Sequence, residues 1–207
     1  MNFRIRNAMA YDLHDIRRIE KRSYPPELQA HLSVLEYRLE TFLIRVAETR
    51  AGIVGFYTCV PALLELSDEK ALIKQLIQNR KDHYRGLFDL FRSSDQFNAL
   101  YVTSTAVASE HQGIGIGRRL VEDSLELTRN HELERRASVL RMPGYRRHDK
   151  RGISAEEYLR LVKSGEIDNP ILRLYLELGF ALGPTIPDYE PDRSSMNYGV
   201  FALRKLD

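Results

Sequence analysis

Apolar and polar residues alternate along the chain in two rhythms, one of helices and one of strands. Leu13, Ile16 and Ile19 stand at helical spacing between Asp12 and Glu20, which predicts a helix with one apolar face. The prolines of Ser23-Tyr24-Pro25-Pro26 cannot continue it. A second short helix is predicted over Ser33–Glu40. Phe3–Arg6 alternates and reads as an opening strand. Phe42–Thr49 and Ile53–Val60 are β-rich runs joined by the tight turn Arg50-Ala51-Gly52, so they predict a hairpin. Leu63–Phe91 reads as helical with a break near Gly86. Ala99–Ala108 (A-L-Y-V-T-S-T-A-V-A) predicts a central strand.

The second half continues the mixture. Arg118–Asn130 carries Leu120, Val121, Leu125 and Leu127, a helix with an apolar face. Ala137–Arg141 is a further strand. Met142–Gly165 starts polar and basic, then turns helical around Ala155–Val162. Pro170–Leu178 takes its proline in the first helical turn and Gly179 just past the last. Phe180–Ile186 and Tyr198–Leu203 read as closing strands. No repeat, low-complexity run or linker interrupts this order. Residues 1–207 are therefore expected to form a single domain of mixed α/β class around one sheet.

Composition narrows the function classes. Hydrophobic residues make up 43% of the chain, enough for a sizeable core. The net charge of +2 is too near balance for a dedicated nucleic-acid binder. The one cysteine, Cys59, excludes a disulfide framework and fits a reducing compartment. In its apolar run Cys59 reads as a small packed residue rather than a nucleophile. No apolar stretch reaches the ~18 residues of a membrane span. Met1–Arg6 lacks the apolar core of an export leader. A cytoplasmic location is expected, with no membrane or nucleic-acid partner and no metal.

The chemistry concentrates in S-E-H-Q-G-I-G-I-G-R-R-L, Ser109 to Leu120, between a strand and a helix. Amides at a helix start point outward and carry partial positive charge. Glycines let the backbone approach an anion and adopt unusual dihedral angles. The loop therefore suits a phosphate. A nucleotide P-loop is excluded, because no Gly-Lys-Ser/Thr follows. G-x-G-x-x-G fails too: counting from Gly113 the third position is Arg118, and from Gly115 it is Leu120. A ligand-free turn is the bland alternative.

The spacing Gln112-x-x-Gly115-x-Gly117, set between strand and helix, resembles the pyrophosphate loop of the GNAT superfamily of N-acyltransferases. Ser109 stands where many members have proline. The resemblance runs over most of the chain. It implies a twisted mixed sheet of about seven strands, helices on both faces, and two splayed parallel central strands, here Ala99–Ala108 and Ala137–Arg141. It further implies that acetyl-CoA serves as acyl-donor cosubstrate. On that likeness the backbone of Thr105, Ala106 and Val107 pairs with the pantetheine arm. Gln112, Gly113, Ile114, Gly115, Ile116, Gly117 and Arg118 wrap the pyrophosphate, although Arg118 reads equally well as solvated surface. L-Y-L-E-L-G-F, Leu174 to Phe180, resembles the family's Y-x-x-x-G-F region, where the tyrosine protonates the departing thiolate; here it is Tyr175. A plain amphipathic tyrosine is the competing reading. The family's coenzyme-touching asparagine falls on Asp168, one residue from Asn169.

Transfer to an amine also needs a proton acceptor, and nothing singles one out among Ser104, Thr105, Glu110 and His111. Met142-Pro143-Gly144-Tyr145 and D-Y-E-P-D-R-S-S-x-N-Y-G-V look like the GNAT domains found fused to carbon–nitrogen hydrolases, here without the hydrolase. The basic run Arg141–Arg151 either guides an acidic group or is a solvated insertion. Tyr24, Tyr189 and Tyr198 either line an acceptor pocket or pack. The expected activity is acyl-CoA-dependent transfer to a small-molecule or protein amine, with a homodimer among the expected assemblies. The other class is a non-catalytic acyl-CoA-binding module.

Overall fold

The computed structural model describes residues 2–41, 43–84, 87 and 96–206. Seven strands form one sheet in the order β1-β2-β3-β4-β5-β7-β6. They are β1 (Arg4–Asn7), β2 (Leu43–Thr49), β3 (Gly52–Ala62), β4 (Ala99–Val107), β5 (Arg135–Arg141), β6 (Ala181–Ile186) and β7 (Gly199–Lys205). The helices are α1 (Leu13–Ser23), α2 (Leu32–Thr41), α3 (Glu69–Lys81), α4 (Ile116–Asn130), α5 (Tyr145–Asp149), α6 (Ala155–Lys163) and α7 (Pro170–Glu177). Every neighbouring strand pair is antiparallel except β4 and β5. That is the mixed sheet with a central parallel pair expected from the sequence.

The parallel pair is short. Leu100, Tyr101 and Val102 pair with Arg136, Ala137 and Ser138, and there the pairing stops. At the same level β4 carries a bulge. Thr58 of β3 faces Ser104 while the next residue, Cys59, faces Val102, so Thr103 is the extra residue. A bulge bends its strand and increases the local twist. The Thr103 and Thr58 hydroxyls meet at 2.6 Å and hold the bend. Past it, β4 follows β3 while β5 follows β7, and a gap opens between them.

The core fills both sides. Ile16, Ile19, Leu35, Phe56 and Tyr101 pack beneath α1 and α2 on one face. Ile116 and Leu120 of α4 pack on Tyr57, Cys59 and Leu100 on the other. A third cluster joins α5–α7 to β5–β7 through Tyr158, Leu172, Tyr175 and Phe180. Full burial of such a side chain contributes about 1.5–3 kcal/mol. Asp123 fixes the seat of α4, accepting hydrogen bonds from Arg45 at 2.9 and 2.8 Å and from the Tyr57 hydroxyl at 2.6 Å.

Several element bounds differ from the sequence reading. α3 starts at Glu69, not Leu63, because the Asp68 side chain caps it by accepting from the Lys70 and Ala71 amides. Leu63 and Leu64 are instead held in a loop by Gln75 and Asn98. α3 ends at Lys81; Gly86, and the rest of the expected helix beyond Tyr84 apart from Leu87, lie outside the described residues. α4 begins two residues before Arg118, so Gly117 lies in its first turn. The basic run contains one short helix, α5, which the polar pattern did not suggest.

Candidate functional site

The gap between β4 and β5 is the mouth of a cavity of about 380 Å³. One end is formed by β4 and the glycine loop. The other is formed by α1, α3 and the connection between β6 and β7.

At the loop end the structure offers main chain. The Ala108 amide donates to the Val54 carbonyl at 2.8 Å, so Ala108, and Ala106 with it, turn their peptide groups toward β3. By strand alternation Thr105 and Val107 turn theirs toward the gap. Their carbonyls are already taken. Thr105 O accepts from the Tyr24 hydroxyl at 2.8 Å, and Val107 O accepts from Gln112 Nε2 at 3.0 Å. Their amides face a region with no neighbouring strand.

The loop adds to this set. Gly115 has φ +89°, where a side chain is strained, and a Cβ there would meet nothing within 4 Å. The first loop-to-helix bond runs from the Arg119 amide to the Gly115 carbonyl. Among the described residues the amides of positions 113–118 have no protein acceptor. Six donors at the positive end of a fifteen-residue helix suit an anion. The loop's side chains serve the protein instead. Gln112 clamps the loop to β4, Ile116 is buried in the core, Ile114 projects outward, and Arg118 pairs with Glu177 of α7.

Tyr175 projects from α7 into the cavity and is 5% exposed. Its ring packs on Phe180 with centroids 4.8 Å apart. Its hydroxyl accepts a hydrogen bond from Arg136 Nη2 at 3.2 Å, and its own proton meets no protein acceptor among the described residues. Arg136 is wholly buried at the first rung of the parallel pair. Its remaining bonds go to the hydroxyls of Ser138 at 2.6 Å and Ser124 at 3.2 Å, and its guanidinium lies over the Tyr175 and Phe180 rings. No carboxylate among the described residues pairs with it. Ser138 is the last β5 residue paired with β4, so this chain of groups ends where the strands part.

The opposite end is made of side chains. Glu20 in the last turn of α1 and Tyr24, the residue that caps it by donating its amide to Glu20 O, both line this end. Tyr24 reaches the Ser104 hydroxyl at 3.2 Å as well as Thr105 O, and Arg141 lies 5.3 Å from the centre of its ring. Arg80 pairs with Glu190 at 3.2 Å. The hydroxyls of Tyr84 and Tyr101 meet that of Tyr189 at 3.1 and 3.2 Å. Burial pushes the phenols of Tyr101 and Tyr189 well above the ordinary tyrosine range. It also raises the Glu20 carboxyl, against the Ala30 amide bond and the charges of Arg38 and Arg80.

The two C-terminal motifs lock together to shape this end. Asp192 accepts from Ser195 Oγ and the Ser194 amide, while Ser195 and Ser194 accept from the Met142 and Gly144 amides. Asp192 also pairs with Arg141 at 3.5 Å. Gly199 is obligatory here, since a Cβ would lie 2.5 Å from Val139 Cγ1 and 3.0 Å from the Tyr189 ring.

Of the tyrosines singled out in the sequence, Tyr24 and Tyr189 line the cavity, whereas Tyr198 packs edge-on against Tyr145 in the third core cluster. Asn169 caps α7 through the Leu172 amide and donates to Pro143 O and the Tyr158 hydroxyl, so its side chain is committed to structure. Asp168 pairs with Arg173 at the surface. Glu110 pairs with Arg22, and both are exposed. Of the basic run, Arg141 lines the cavity.

Sequence reading missed Arg136 and Glu20. Arg136 stood one residue before the expected strand. Glu20 had a signal: it falls seven residues after Leu13 and four after Ile16, on the apolar stripe of α1, where a charge is out of place.

A strand–loop–helix anion cradle beside a split parallel pair is the arrangement of an acyl-CoA-dependent transferase fold. The model of the Acetyltransferase (GNAT) family matches residues 11–147, and the chain belongs to that family. An uncharacterized N-acetyltransferase of Bacillus subtilis (strain 168), YkwB, is 26% identical over 204 residues, covering 95% of this chain and 85% of the relative. Among solved structures, the GphF GNAT-like decarboxylase in complex with isobutyryl-CoA has a TM-score of 0.81 at 24% identity, covering 99% of this chain and 100% of that one. The loading GNATL domain of CurA from Lyngbya majuscula has a TM-score of 0.77 at 18% identity, covering 99% and 98%. Among the described residues no helix is long and apolar enough to cross a membrane.

Proposed function

We propose that this chain, working as one domain over 1–207, transfers an acyl group, in the first place acetyl, from coenzyme A to a primary amine by direct attack. One observation carries the reading: the unclaimed amides of β4 and the loop lead to the point where the strands part, and there Tyr175 keeps an uncommitted proton. The amides of Thr105 and Val107 would pair with the pantetheine arm, as a missing strand would. The amides of positions 113–118 would take the pyrophosphate. Bound there, the coenzyme supplies the thioester and a thiolate leaving group.

Tyr175 gives its proton to the departing sulfur. Arg136 donates to the same oxygen and steadies the phenolate left behind. Among the described residues Arg136 has no carboxylate partner, so it meets that developing negative charge uncompensated.

The test pairs calorimetry with turnover. Acetyl-CoA binds the wild-type protein, and an amine panel releases free thiol. Tyr175→Phe lowers kcat ~100-fold while donor affinity stays within ~2-fold. Absence of donor binding overturns the reading. Donor binding without turnover on any amine leaves the acyl-CoA-binding module.

Arg141 favours one second reading. On the β5 rim, over Tyr24, it is placed to meet a carboxylate on the acyl chain in addition to Asp192, and the GphF structure is described as a GNAT-like decarboxylase in complex with isobutyryl-CoA. Carbon dioxide released from malonyl-CoA without an amine would establish it.

A further inference from the structure

Glu20 is a carboxylate in an unusual position. It is 3% exposed, it lines the cavity, and it stands on the apolar stripe of α1. Oε1 accepts from the Ala30 amide at 3.2 Å. Oε2 is buried and takes no hydrogen bond among the described residues. A buried carboxylate oxygen left without a donor loses its hydration with nothing in return. Structural need does not account for it, since Oε1 alone serves the Ala30 turn.

The surroundings indicate what completes Glu20. Arg80 on α3 is held by Glu190 from the β6–β7 connection, and Arg141 on β5 by Asp192. Those charges have counter-charges. Arg38 of α2, buried in the same wall, acts on Glu20 through its charge but makes no hydrogen bond to Oε2. Glu20 Oε2 needs a donor that arrives from the cavity. Tyr24, just past the end of α1, puts its hydroxyl on Ser104 and Thr105 O, at the gap in the sheet. Glu20 and Tyr24 thus line the same cavity as Tyr175.

We infer that Glu20 is the seat of the acceptor's amino group and the base that deprotonates it, which makes the acceptor a small cationic primary amine. This rests on the acyl-transfer reading. A cavity of about 380 Å³ shared with the donor's reacting end leaves room for a compact molecule, and the walls at this end are the rings of Tyr24, Tyr84 and Tyr189. In the balanced step, the ammonium gives one proton to Glu20, and the freed nitrogen attacks the thioester carbon. A C–N bond forms and the C–S bond breaks. Tyr175 protonates the sulfur, the second nitrogen proton restores the Tyr175 phenol, and Glu20 later releases its proton to water. The products are an amide and the free thiol.

The experiment compares two kinds of acceptor in the full chain. One is a small alkylamine, charged at neutral pH; the other is methoxyamine, which is already neutral and needs no base. Glu20→Gln is expected to lower kcat/KM for the alkylamine ~100-fold and for methoxyamine less than ~5-fold, with Glu20→Asp intermediate. Acetyl-CoA affinity of each variant, read by calorimetry, reports the fold and stays at the wild-type value. Equal losses with both acceptors, or no loss with either, overturn the assignment of Glu20. A wild-type protein that turns over only large peptide amines overturns the substrate class. A wild-type protein that turns over no amine overturns the underlying transfer reading instead, and the two failures are told apart before any variant is made.

Discussion

At the loop end of the cleft, Gly113, Gly115 and the uncovered edge of β4 present peptide groups from one run of the chain. At the tyrosine end, Glu20, Arg80, Arg141, Tyr189 and Glu190 present side chains from four separate places. Main chain can be aimed by a short local motif, because turn and helix geometry follow from nearby residues. Side chains can converge only after the whole sheet has formed. The loop end therefore suits a ligand whose chemistry does not vary, and the tyrosine end one that can vary between relatives of the same fold.

That contrast predicts which changes separate the two ends. The largest effect comes from Gly115→Glu. A charge among the loop amides is expected to weaken acetyl-CoA binding ~100-fold by calorimetry, while strain at φ +89° lowers the melting temperature of the unliganded protein by about 2–10 °C without unfolding it. Undiminished binding would break the division between ends.

Arg136→Met comes next and sharpens the role of the buried guanidinium. Replacing a buried charge that has no carboxylate partner among the described residues by an apolar side chain of similar length is expected to hold the melting temperature or raise it by about 2–4 °C. Turnover is expected to fall ~10-fold, one hydrogen bond's share of phenolate stabilisation. Turnover at the wild-type level would leave Arg136 a packing residue.

The smallest effect lies away from the cleft. Hydrogen bonds from Arg6 and then Arg4 bring the Glu48 carboxyl down from 4.5 to about 2. Burial pulls Asp12 up, but bonds from Arg6 and the Met9 amide outweigh it and leave it lowered. Lowered carboxylates contribute stability above their unfolded-state values and lose it as the pH falls through the folded ones. The cluster's contribution is therefore present above pH 4.5 and fades toward pH 2. Glu48→Gln is expected to flatten that acid slope, with a thermal shift no larger than about 3 °C at neutral pH and no change in donor affinity. A change in affinity would show that the two regions are coupled.

The same contrast explains how much was legible in the sequence. The succession of strands along the chain and the glycine loop followed from periodicity and a compact motif, and the splayed parallel pair implied by the family resemblance fell between the expected strands. The start of α3 was misplaced because Leu63 and Leu64 continue an apolar pattern, while Asp68 decides where the helix begins. Arg136 was hidden because a buried, unpaired arginine runs against the rule that charges face water. Glu190 and Asp192 lie in a loop without periodicity, so their meeting with Arg80 and Arg141 was written nowhere locally. Glu20 alone among the missed groups left a mark, a charge on an apolar stripe.

The three-rung parallel pair has a mechanical consequence. β1–β4 form one panel and β5–β7 another, stitched by the pairs at Leu100, Tyr101 and Val102. The first strand belongs to one panel and the last to the other, so tension applied between the two ends of the chain loads that short seam directly. A ligand lying along β4 in the gap would lengthen the stitching. Rupture force in a single-molecule pull would then register whether the cleft is filled.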